Sequence, residues 1–320
     1  MLVLVGVAAV AAAGATVGVT ALTSKPEPKR AAVCPAGPPL QLDLGVRTDP
    51  EAAALRRAQN RLARRDASGG RAIFERYQSI EARVGAAIAA WPTDTLADLE
   101  ALAAEHPRDA TVELNLGNAL FCDRRPDEAR GLWRTAERLA PDSPIGIHAT
   151  DLLNPRYPIP GIPAFVPSFP YPPGLASLPP QRQFRELAAR ARGRDVRAKL
   201  LYGTAFQKLG RQRSAERQFA AAAALAPSDA EAQVAAAVGR FDKNRPAAAF
   251  SRLGPLTRRF PRAATVRFHL GLLLLWLGEV RQASTEFRRA ERLGPQSVIG
   301  TEAKRFLTCI SSPATCASSP

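Results

Sequence analysis

The chain has 320 residues, of which 46% are hydrophobic and 23% charged, enough apolar side chains to bury a sizeable core, which excludes a disordered protein. Its formal net charge of +15 is carried mostly by arginine in pairs such as Arg124-Arg125, Arg258-Arg259 and Arg288-Arg289. Those pairs read as a solvated surface, and nucleic acid is not an expected partner because neither aromatic stacking platforms nor a known module accompanies them. His106, His148 and His269 lie far apart and none stands at metal-ligand spacing from a Cys or carboxylate, so no metal and no cofactor is expected.

Residues 1–24 carry no charged side chain and are mostly apolar. At about 1.5 Å per residue the run spans roughly 30 Å or a little more, the thickness of a bilayer core, and it exceeds the apolar region of a signal peptide. It reads as a transmembrane or signal-anchor helix, with cleavage after Val19-Thr20-Ala21 as the alternative. Residues 25–48 mix Pro, Gly and charge and read as a flexible tether. Cys34 stands too far from the apolar run to serve as a lipid-attachment site. Two signals bear on orientation. Lys25, Lys29 and Arg30 place the folded body in the cytoplasm by the positive-inside rule. Cys309 and Cys316, a candidate disulfide pair in the C-terminal tail, suit an exported body. The expectation is a membrane-anchored, extracytoplasmic body, with the cytoplasmic side as the alternative.

The folded part begins at Asp49-Pro50-Glu51, a capping residue followed by Pro at the first helical position and an acid in the first turn. A helix is predicted to about Arg65, a break at Ser68-Gly69-Gly70, and a second helix from Arg71 to about Trp91, where Phe74, Tyr77, Ile80, Val84 and Ile88 recur at helical steps. With Thr93 to Asp109, which reads as half a repeat, residues 49–109 form a divergent N-terminal pair of helical units. Residues 110–143 are a well-formed unit with Leu116-Gly117, Ala129, Trp133, Ala136 and Pro141 in register; Arg124 replaces a turn glycine, and Pro126 presets the following helix.

Residues 144–195 read as a degenerate unit, its helices Ile145 to Leu153 and Gln181 to Arg194, interrupted by an insertion over 154–180. Ten prolines fall between Pro155 and Pro180, interleaved with Tyr157, Phe165, Phe169 and Tyr171. Such a segment is neither helix nor central strand. It is either an extended loop laid over the stack with its aromatics packed down or a polyproline-type ligand for another domain.

Three units then follow without insertion over 196–229, 230–263 and 264–297, starting at Val196, Ala230 and Ala264 and so 34 residues apart. Gly203, Ala237 and Gly271 are small where helices can approach closely, as are Ala215, Ala249 and Ala283. Phe219, Leu253 and Phe287 are the bulky knobs for the gaps so left. Truncating Phe219 or Phe287 to Ala is expected to cost about 3 to 5 kcal/mol, and truncating Phe165 much less. Gly210, Asn244 and Gly278 stand at the turns, where a left-handed residue is wanted. Residues 298–308 read as a closing helix that covers Leu272, Leu275 and Trp276, and 309–320 as a polar tail.

Segments such as LLYGTAFQKLGRQRSAERQFAAAAALAPSD and FHLGLLLLWLGEVRQASTEFRRAERLGP resemble the tetratricopeptide repeat, a 34-residue helix–turn–helix unit. The resemblance implies an all-α, right-handed α-solenoid of such repeats behind the N-terminal transmembrane or signal-anchor helix. It also implies a groove along the first helices that binds a protein or peptide partner and does no chemistry. Carried over by position, the groove residues of the unit from Ala110 are Thr111, Leu114, Asn118, Phe121 and Cys122. Partner binding is expected in the next two units, at Arg197, Leu200, Thr204, Gln207, Lys208, Glu231, Val234, Val238, Phe241 and Asp242. The family's clamp for C-terminal carboxylates is not expected, because Asn118 is present but Leu114 replaces its Lys.

No Gly-rich phosphate loop, nucleophile elbow or HExxH is written in the chain, so an enzyme is not expected. The leading expectation is a membrane-tethered interaction scaffold, resembling anchored repeat proteins of envelope assembly. The alternative is a cytoplasm-facing basic adaptor that meets nucleic acid or anionic inner-leaflet lipid.

Overall fold

The computed structural model describes Cys34 and residues 37–312, and every regular element among them is an α-helix. In order these are α1 (Pro50–Ala63), α2 (Ala67–Phe74), α3 (Ile80–Ala89), α4 (Thr95–Glu105), α5 (Ala110–Cys122), α6 (Pro126–Leu139), α7 (Pro144–Leu153), α8 (Pro180–Ala191), α9 (Val196–Lys208), α10 (Gln212–Leu225), α11 (Ala230–Val238), α12 (Ala247–Arg259), α13 (Ala264–Trp276), α14 (Val280–Leu293) and α15 (Val298–Ser311). The helices fall into two units, α1 to α7 and α8 to α15. The predicted apolar anchor lies outside the described residues. Among the described residues no helix is long and apolar enough to cross a membrane.

The N-terminal unit starts as its sequence dictates: Asp49 accepts from the Ala52 N–H at 3.0 Å and Pro50 opens α1. The break expected at Ser68-Gly69-Gly70 is instead the first turn of α2. Asp66 caps it through the Gly69 N–H, and Gly70 packs so closely on α1 that a Cβ there would lie 2.1 Å from Leu62. Glycine at this point allows helix approach rather than ending a helix. The chain breaks later, at residues 75–79, where Ser79 caps α3. Helices α1 to α6 then pack in sequential pairs, and α7 closes the unit against α6 and α5.

The C-terminal unit stacks the pairs α9/α10, α11/α12 and α13/α14, with α8 on α9 and α15 on α14 and α13. The degenerate repeat expected over 144–195 therefore contributes α7 to one unit and α8 to the other. Small and bulky residues interlock at the predicted places. A Cβ on Gly203 would lie 2.3 Å from the Phe219 ring, one on Gly271 2.8 Å from Phe287, and one on Gly117 2.7 Å from Trp133. The closing helix runs on to Ser311, buries Leu272 and Leu275, and stacks Phe306 on Phe287 with centroids 5.2 Å apart.

Two turns take the left-handed conformation that glycine permits, Gly210 at φ 67° and Gly278 at φ 83°, and Arg124 adopts it in glycine's place at φ 65°. Asn244 does not. Helix α11 stops at Val238, and the irregular stretch that follows sends Phe241 and Lys243 inward, while the Asn244 N–H is held by Asp242 at 2.8 Å.

Candidate functional site

Helices α9, α11 and α13 are the first helices of successive pairs, and their shared face is where the repeat resemblance implies a groove. That face is occupied by the chain's own proline segment. Pro160, Pro163 and Pro167 offer no N–H donor and bar a helix, so the backbone from Ile159 to Ser168 must find its partners on side chains. It does so residue by residue. The Lys243 ammonium donates to the Ile159 carbonyl at 2.7 Å, and the Gln207 amide donates to the Pro163 carbonyl at 3.4 Å. Gln207 also accepts from the Phe165 N–H at 2.8 Å. The Val166 N–H donates to His269 Nε2 at 2.9 Å, and the Glu231 carboxylate accepts from both the N–H and the hydroxyl of Ser168.

Side chains fix the register. Phe165 is 1% exposed, its ring stacked on His269 with centroids 5.1 Å apart and edge-on to Phe219 at 5.5 Å. Further along, the Arg197 guanidinium lies over the Phe169 ring at 5.2 Å and the Lys208 ammonium over Tyr171 at 5.5 Å. Such cation–π contacts contribute about 0.5 to 2 kcal/mol each.

Of the ten residues proposed for partner binding, four contact this segment by these bonds: Arg197, Gln207, Lys208 and Glu231. Leu200, Val234, Val238 and Phe241 are buried core beneath it, and Thr204 turns its hydroxyl to the Leu200 carbonyl at 2.9 Å. Asp242 lies outside the groove, where it caps Asn244 and pairs with Arg245 at 3.6 Å. No ion pair joins Arg197 or Lys208 to Glu231 or Asp242, because the two cations sit on aromatic rings instead.

Sequence reading missed His269 and Lys243. His269 stands sixth in its unit, and the sixth place of the unit from Ala110 is Asn115. Both are polar where Leu201 and Ala235 are not, and that contrast was a legible signal.

Asn115 does the same work in the N-terminal unit. It accepts from the Gln41 N–H at 3.0 Å and donates to the Gln41 carbonyl at 2.8 Å, while Asn118 donates to the Pro39 carbonyl at 2.9 Å. Trp133 Nε1 donates to Asn118 at 3.1 Å and orients it. Leu40 and Leu44 are buried, and Arg56 and Gln59 of α1 donate to the carbonyls of Arg47, Gly45 and Leu40. Cys34, sulfur to sulfur with Cys122 at the end of α5, ties this strand down. Residues 37–48, predicted to belong to a mobile tether, are thus extended but seated. Leu40 and Leu44, the asparagines of α5, Arg56 and Gln59 of α1 and the disulfide together hold them. Cys309 is likewise disulfide-bonded, and Cys316 lies outside the described residues.

The buried imidazole has a consequence for pH. Its Nδ1–H donates to the Thr265 carbonyl at 2.7 Å, leaving Nε2 as the acceptor for Val166, and full burial lowers its pKa to about 4 from 6.5. Between those values the unfolded chain binds a proton that the folded unit does not. The stability contribution is complete above pH 6.5 and falls as pH drops toward 4, by roughly 3 kcal/mol in total. Burial also holds the Glu231 carboxyl above its ordinary value, against the two Ser168 bonds, and that shift favours the folded state as pH falls. His269→Gln keeps an acceptor without the titration. It is expected to reduce the slope of the C-terminal unit's urea-midpoint profile between pH 4 and 6.5, while His148, whose pKa burial also lowers to about 4, keeps its own slope in the N-terminal unit; a profile identical to wild type overturns the assignment.

No protein-family model matches the chain, and no curated protein matches it. Among solved structures it is similar to a tetratricopeptide repeat protein from Parabacteroides merdae, with 12% identity, 82% of this chain and 99% of that one covered, and a TM-score of 0.35. It is also similar to yeast Tom70, with 12% identity, 88% and 68% covered, and a TM-score of 0.30. Likeness at this level assigns no relationship, and the description of the chain rests on its own packing: an all-helical array of helix pairs in which three pairs repeat every 34 residues.

Proposed function

We infer that the chain is a non-catalytic interaction scaffold that binds an extended peptide or protein segment on the first-helix face of its repeats. One observation carries this reading: the side chains of Gln207, Glu231, Lys243 and His269 hold a main chain from Ile159 to Ser168 by its own N–H and carbonyl groups. A face that grips backbone accepts a segment of suitable shape with little demand on its side chains, and the Phe165 cavity between His269 and Phe219 supplies the apolar anchor. Tethering by the N-terminal apolar run and an extracytoplasmic body are parts of the same proposal. The Cys34–Cys122 disulfide and the oxidised Cys309 support export, since disulfides persist in oxidising compartments.

The test is binding in trans. In a variant with residues 155–180 replaced by a Gly-Ser linker, a labelled peptide of residues 157–171 is expected to bind saturably. Gln207→Ala with Glu231→Ala should weaken it at least tenfold, and Arg197→Glu with Lys208→Glu should weaken it further by removing the ring contacts. Absence of binding to a variant that retains its helical melt would mean that the segment is a fixed part of the core and that the face recognises no other chain.

A further inference from the structure

We propose that the outer face of the C-terminal unit, formed by the second helices α12 and α14, is a docking surface for an anionic phospholipid bilayer. The charge of the chain is not evenly spread. Residues 154–312 hold 26 Lys and Arg against 10 Asp and Glu, whereas residues 37–153 hold 15 against 18. Basic residues are abundant in both units, so a general preference for arginine does not explain the difference. Acids are what the C-terminal unit lacks.

Eight of its ten acids are tied up in ion pairs, helix caps or the Ser168 contact, and the other two, Glu279 and Glu291, lie before and within α14, which still carries Arg281, Arg288, Arg289 and Arg292. Glu186, Glu216, Asp242, Glu286 and Glu302 pair with Arg190, Arg240, Arg245, Arg267 and Arg305. Asp195 and Asp229 cap α9 and α11, and Glu231 holds Ser168. Arg252, Arg258, Arg262, Arg281, Arg288 and Arg292 are exposed and join no ion pair among the described residues. Arg258 and Arg292 occupy the same place in successive repeats, one on α12 and the other on α14.

Planar guanidinium groups pair with phosphate oxygens in a bidentate fashion, which makes a headgroup surface the complementary partner. Leu293, 41% exposed beside Arg292, supplies an apolar side chain to enter the interface. Single-stranded nucleic acid needs stacking platforms, and the rings of Phe268, Phe287 and Phe306 are packed against one another instead. An oxidising compartment, indicated by the Cys34–Cys122 bond, offers a membrane leaflet rather than nucleic acid.

The experiment compares the full chain on phosphatidylcholine vesicles with and without phosphatidylglycerol, so that any insertion of the N-terminal run is common to both arms. Partition is expected to rise roughly tenfold or more on the anionic vesicles, and the gain to vanish in high salt. The variant Arg258→Gln, Arg281→Gln, Arg288→Gln and Arg292→Gln should abolish the gain with an unchanged thermal melt. The control Arg57→Gln, Arg64→Gln, Arg108→Gln and Arg134→Gln, on the N-terminal unit, should preserve it. Equal loss in both variants would reduce the effect to net charge and overturn the surface. Retardation by duplex DNA, with no response to lipid charge, would overturn the bilayer as the occupant.

Discussion

Cys34→Ser is expected to destabilise the N-terminal unit by about 4 kcal/mol, toward the upper end of what removal of a native disulfide costs. The bond joins residues 88 apart in sequence, and the entropy withdrawn from the unfolded chain grows with the length of the closed loop. Serine at position 34 leaves the cavity nearly unchanged, so the loss reports on the cross-link. Mutation is the better test than a reducing agent, which would also reach Cys309. Two units need not unfold together, so the readout must belong to this one: urea titration of Trp133 fluorescence in a background carrying Trp91→Phe and Trp276→Phe. A local effect should accompany it, with faster hydrogen exchange at Gln41, whose N–H is held by Asn115. A midpoint shift worth less than about 1 kcal/mol would mean that the seated strand, with or without its sulfur bond, contributes little to the fold.

The second large effect separates three phenylalanines. Phe219→Ala and Phe287→Ala are expected to cost about 3 to 5 kcal/mol each, as truncations of fully buried rings that fill the space left by Gly203 and Gly271. Phe165→Ala is expected to reach the same range, contrary to what its place in a proline-rich insertion implies. Its ring is as buried as theirs and touches both His269 and Phe219. The consequences differ in kind. Loss of Phe219 should lower the cooperative melt of the whole unit. Loss of Phe165 should also free the segment, making the chain at the exposed Arg156 mobile enough for tryptic cleavage while α9 to α15 stay folded. A Phe165→Ala protein within about 1 kcal/mol of wild type, with the segment still protected, would show that the backbone bonds alone seat it.

Much of the fold was legible because it is local. A helical hairpin of 34 residues places its small and bulky residues at set intervals, and stacking demands only that neighbours repeat the same intervals. Gly203 with Phe219, Gly271 with Phe287 and Gly117 with Trp133 could therefore be paired from the sequence alone. The same reasoning faltered where one residue type serves two geometries. Gly69-Gly70 signals a break by propensity, yet in the fold it lets α2 lie against Leu62 of α1. Asn244 signals a left-handed turn, yet an early end to α11 removes the need for one.

By itself, the sequence determined that the chain is helical and set a 34-residue period from Val196, Ala230 and Ala264, where α9, α11 and α13 begin; the resemblance carried by that period implied the face lined by Gln207, Glu231, Arg197 and Lys208. Only the tertiary structure decided what lies on that face. Segments 37–48 and 154–180 have no periodicity, since their prolines forbid regular hydrogen bonding and several of their backbone partners are 42 to 103 residues away in sequence. Composition marks both as extended and cannot say whether they stay in solvent. The outcome depends on single groups, Asn115 and Asn118 in one unit and Gln207, Lys243 and His269 in the other, each supplying a bond to backbone that would otherwise be left to water. A contact made by one side chain at long range leaves no pattern in a linear sequence, and so the seated strands and the Cys34–Cys122 bond emerged only when the helices were brought together.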